Sequence, residues 1–101
     1  MGAKNEVNMN DKFKNVPTDP ETRVLKRSLA VVGGYDVLHE RWSWDGIKAE
    51  SFVFLSSEVA DMSDQVLERI VRDTVGVDEG SQITLKRSDS GFTFVNFNFG
   101  S

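Results

Sequence analysis

Cysteine is absent from this 101-residue chain. That removes disulfides, thiolate zinc sites, iron–sulfur clusters and thiol catalysis, and it fits a reducing compartment. Histidine occurs once, at His39, so little imidazole is on hand for acid–base or metal chemistry. Long apolar runs are also missing: none exceeds four residues, whereas a membrane-spanning helix needs ~20. The opening stretch Met1 to Asn8 lacks the apolar core of a secretory signal. A cytoplasmic location with no membrane partner is therefore expected. Positive charge is in deficit, 12 Lys and Arg against 16 Asp and Glu, for a net charge of −4. Nonspecific nucleic-acid binding is disfavoured by that balance unless the basic residues gather on one face.

What is present suffices to fold. Hydrophobic residues make up 39% of the chain and include seven Phe and two Trp. A chain of this length buries roughly 65% of the surface its unfolded form exposes, without a metal or a covalent staple. Residues 1–17 are polar and aperiodic and read as a flexible N-terminal tail, with Phe13 and Val16 able to dock back. Residues 18–101 then form a single α+β domain.

Its pattern predicts the order helix, hairpin, helix, hairpin. The first helix, about 20–32, is marked by Thr18-Asp19-Pro20-Glu21 as cap and first turn, by a stripe of Val24, Leu25, Ser28, Leu29 and Val32, and by Gly33-Gly34 as its stop. Asp45-Gly46 then signals a two-residue turn. It places Trp44 opposite Ile47, Trp42 opposite Ala49, Glu40 opposite Ser51 and Leu38 opposite Val53, with His39–Phe52 and Val37–Phe54 on the other face. The second helix, about 62–75, has Asp61 or Ser63 as cap, Gly76 as stop, and Val66, Leu67, Ile70, Val71, Thr74 and Val75 on one face. A three-residue turn at Asp89-Ser90-Gly91 closes the last hairpin and sets Arg87 opposite Thr93, Leu85 opposite Val95 and Ile83 opposite Phe97. The expected architecture is a two-layer α-ββ-α-ββ sandwich: a four-stranded antiparallel sheet with two helices on one face. Leu25, Leu29, Leu67, Ile70, Val71, Leu85, Val95 and Phe97 are its expected core.

Catalytic signals are weak. Asp36, His39 and Glu40 look like a metal cluster on paper, but consecutive strand residues point to opposite faces, so His39 and Glu40 cannot share an ion. Glu58, Asp61 and Asp64 are explained more simply by helix capping than by paired-carboxylate or calcium chemistry. No nucleotide-binding loop, zinc-protease motif or serine nucleophile elbow occurs, and no cofactor, metal or small-molecule substrate is indicated.

The remaining conflict is between aromatics and solubility. In a sheet with both helices on one side, Val37, His39, Phe52, Phe54, Phe92 and Phe94 fall on the open side, and a patch of that kind marks an interface. Either a second copy or the tail, through Phe13 and Val16, covers it. The resulting expectation is a small, acidic, non-catalytic accessory protein that works by protein–protein contact, with homodimerisation through that face. Size alone suggests a bacterial or phage type. The alternative is single-stranded nucleic-acid binding, in which Arg41, Lys48 and Lys86 hold phosphates beside the same aromatics. Trp42 and Trp44 are further recognition candidates, although core packing under the helices explains them better.

Overall fold

A computed structural model describes residues 11–16, 23–44, 47–76 and 82–99. Strands β1 (Arg23–Val32), β2 (Tyr35–Trp44) and β3 (Ile47–Leu55) precede helix α1 (Asp64–Val75), and strands β4 (Ile83–Arg87) and β5 (Phe92–Phe99) follow it. They form one antiparallel sheet in the order β1-β2-β3-β5-β4.

The expected architecture is corrected here. The sheet has five strands rather than four, and one helix packs on it rather than two, because the segment expected as the first helix is strand β1. Its expected cap, Thr18 to Glu21, lies outside the described residues. Gly33 and Gly34 have φ of 60° and 88° and join β1 to β2 as a two-residue hairpin turn, so they are not a helix cap. The helical stripe was illusory for a physical reason. This strand has Ala30 and Val32 on one face and Leu29 and Val31 on the other, and apolar residues at odd and even positions match a period of 3.6 by accident. The β-branched Val24, Val31 and Val32 favour the strand.

Elsewhere the local pattern is met. The β2–β3 register pairs Trp44 with Ile47, Glu40 with Ser51 and His39 with Phe52, although Asp45 and Gly46 themselves lie outside the described residues. The β4–β5 register pairs Ile83 with Phe97, Leu85 with Val95 and Arg87 with Thr93, and Gly91 takes φ 97° in the turn. In α1, Ser63 is the cap, its Oγ accepting from the Val66 N–H, and Gly76 closes the helix in the left-handed conformation.

Two cores sit on opposite faces of the sheet. The larger lies under α1 and unites Val32, Val37, Phe52, Phe54, Val95 and Phe97 with Val59, Leu67 and Val71. Arg87 ties the approach to this helix to the sheet: Nη1 donates to the Val59 carbonyl, Nη2 to the Met62 carbonyl and Nε to Asp64. The smaller core is closed by residues 12–16, whose Phe13 and Val16 pack on Leu38, Val53 and Phe92. Of the residues expected in the core, Leu67, Val71, Val95 and Phe97 are buried and Ile70 and Leu85 pack against them. Leu29 is instead 43% exposed, and the Leu25 side chain lies outside the described residues.

Candidate functional site

Strand alternation divides the expected recognition face in two. Val37, Phe52 and Phe54 point towards α1 and are buried beneath it, with half-buried His39 beside them. Phe92 and Phe94 point to the opposite face, where Phe92 lies 6.4 Å from the ring of Phe13 and Phe94 packs on the same cluster. The single open aromatic face is thus corrected to two faces, each with its own cover. Across β3 and β5 the neighbours are Phe52–Val95 and Val53–Phe94, so Phe52 and Phe94 cannot share a side.

The nucleic-acid set divides in the same way. Arg41 and Lys48 lie on the α1 side, while Lys86 opposes Phe94 on the other. The Phe52 ring is closed off between the rings of His39 at 4.4 Å and Phe97 at 5.7 Å, leaving no face for a base.

Candidate chemistry resolves into structural contacts. His39 Nε2 lies 2.8 Å from Glu50 Oε1, and Arg41 approaches the other oxygen of that carboxylate at 3.9 Å. Glu40 is on the reverse face, where Arg27 Nε donates to it at 2.7 Å. Glu58 accepts from Lys12 and Asp64 from Arg87, so the acidic residues near α1 hold neighbouring segments in place. Among the described residues no group of His, Cys, Asp and Glu could hold a metal ion, and no helix is long and apolar enough to cross a membrane.

On the face away from α1, one row runs across all five strands: Arg27, Glu40, Ser51, Asn96 and Thr84 stand side by side. Half-buried Trp42 bends over it and donates from Nε1 to Ser51 Oγ at 2.7 Å, while the Trp44 side chain lies outside the described residues. Asn96 Oδ1 is buried in this row, and no donor among the described residues reaches it.

The outer edge of β1 is the feature that sequence reasoning missed. Among the described strands β1 has one neighbour, β2, and it exposes Leu29 (43%) and Val31 (64%) on one face. Residues flanking a two-residue hairpin turn form a hydrogen-bonded pair, and such pairs alternate along the ladder. With Val32 opposite Tyr35, residues 26, 28, 30 and 32 face β2, and Arg27, Leu29 and Val31 aim their N–H and C=O groups outwards. The other edge, β4, is only Ile83–Arg87 and carries exposed Lys86 and Arg87, the kind of charge that blunts an edge. Gly33-Gly34 between two apolar runs was the signal that would have disclosed β1.

Compared with protein-family models, curated proteins and solved structures, the chain has no match in any of the three.

Proposed function

We propose that this chain is a small non-catalytic accessory protein that acts by protein–protein contact, and that the contact is made by adding an extended strand to the edge of β1. The observation that carries the reading is the coincidence of three features on that edge. The outward backbone groups of Leu29 and Val31 meet no other described strand, both side chains are aliphatic and exposed, and no charge stands between Arg27 and the turn at Gly33. Native sheets ordinarily guard such an edge, and strand addition is a recurrent mode of peptide capture. A cytoplasmic setting fits a chain without cysteine.

The test compares tagged wild-type protein with Leu29→Lys/Val31→Lys in the native cell, after equal thermal midpoints have shown that both fold. The reading predicts at least one protein retained by the wild type and lost by the variant. Identical retention by the two overturns it, as does nothing retained by a wild type that also stays monomeric at roughly 1 mM.

A further inference from the structure

We infer that the strand received by β1 is β1 of a second copy, paired antiparallel about a two-fold axis at Ala30. The inference rests on the edge-contact reading and specifies its partner.

Self-complementarity of the segment carries it. In the register centred on Ala30, Leu29 of one copy faces Val31 of the other, twice over, so the most exposed aliphatic of the edge meets another aliphatic side chain. Both are outward-pointing positions, and their pairing supplies about four backbone hydrogen bonds across the axis. Ala30 then faces itself at a non-hydrogen-bonded pair, where strands approach to a Cα separation of ~4.5 Å and a small side chain fits best. Lys26 and Arg27 fall opposite Gly34 and Gly33, so no like charges meet. The neighbouring register, centred on Leu29, sets Arg27 against Val31 and matches the aliphatics less well. A partner strand of another sequence would have to reproduce this order of apolar centre and turn, which a second copy already has. A contact made by one pair of strand edges is expected to fall short of the roughly 1,200 Å² of stable complexes, so the association is weak and concentration-dependent.

The absence of cysteine makes the test clean, because a single introduced thiol has only its symmetry mate to pair with. Ala30→Cys and, on the exposed β4 edge, Thr84→Cys are oxidised side by side at roughly 1 mM protein, a concentration suited to weak contacts. Two-fold pairing at Ala30 brings the Cα atoms within the ~4.4–6.8 Å window of a disulfide. Cross-linking of Ala30→Cys should outpace Thr84→Cys by about tenfold or more, and adding Val31→Lys should abolish the difference. Sedimentation of the unmodified protein, which needs no variant, should show its mean mass rising from monomer towards dimer over the same range. Equal cross-linking rates, or a strictly monomeric wild type, overturn self-pairing. If that monomer still loses a cellular protein on Leu29→Lys/Val31→Lys, the edge reading stands with a different partner; if it does not, both fall.

Discussion

Ile70 lies directly over Gly33: a Cβ at position 33 would collide with Ile70 Cγ2. The glycine is therefore required twice, once for its φ of +60° in the β1–β2 turn and once to let α1 down onto the sheet. Gly33→Ala should destabilise the fold by about 2–4 kcal/mol, combining left-handed strain with overpacking. Gly34→Ala carries the strain alone, because nothing lies within 4 Å of its missing Cβ, and should cost about 1 kcal/mol. Urea titration of the two variants checks the contrast; equal losses would remove Ile70 from the explanation.

Leu67 and Val66 are neighbours on α1, and one is fully buried while the other is 51% exposed. Leu67→Ala should therefore cost about 2–5 kcal/mol. Val66→Ala should fall within about 0.5 kcal/mol of the wild type. Thermal midpoints measure both, and a large loss at Val66 would show that the helix is rotated.

Arg87 holds two backbone carbonyls and one carboxylate at the start of α1. Arg87→Ala leaves the Val59 and Met62 carbonyls without this donor and should destabilise by about 1–3 kcal/mol. Asp64 is exposed, and losing its carboxylate in Asp64→Ala should cost under about 1 kcal/mol. Chemical denaturation separates the two contributions.

Lys12 latches the N-terminal segment by donating to Glu58 and Asp36. The Glu58 hydrogen bond, followed by that of Asp36, raises the lysine above its ordinary value of 10.5. A raised lysine contributes fully below its unfolded value and loses the contribution as pH climbs through the folded one. The Lys12 contribution to docking of residues 12–16 should thus be present from neutral pH to about 10.5 and fade above it, a change read by NMR contacts between Phe13 and Phe92. Phe13→Ala should release the segment at all pH values.

Sequence patterning disclosed the pieces governed by local chemistry. Ser63 and Gly76 bound α1, and the β2–β3 and β4–β5 registers are those expected from the signals Asp45-Gly46 and Asp89-Ser90-Gly91, because caps and tight turns depend on a few adjacent residues. Two things were not legible. Strand β1 is apolar on both faces, with Ala30 and Val32 under α1 and Leu29 and Val31 exposed opposite, so no period of 2 marks it in the sequence. The pairing of β3 with β5 spans the helix and depends on no turn, so nothing local sets which Phe of one hairpin shares a face with which Phe of the other. Both bear on the candidate site: its aromatics fall on two faces rather than one, and the β1 edge stands where the pattern predicts a helix.

Amide hydrogen exchange along β1 tests the edge most directly, because the strand itself supplies the control. The N–H groups of Ser28, Ala30 and Val32 face β2, and those of Arg27, Leu29 and Val31 face outwards. A strand bound at this edge should slow the Leu29 and Val31 amides by about tenfold or more, at high protein concentration or in native-cell extract, and so erase the alternation seen in dilute protein. Outward amides that exchange at the dilute rate under every condition would contradict edge recognition by β1.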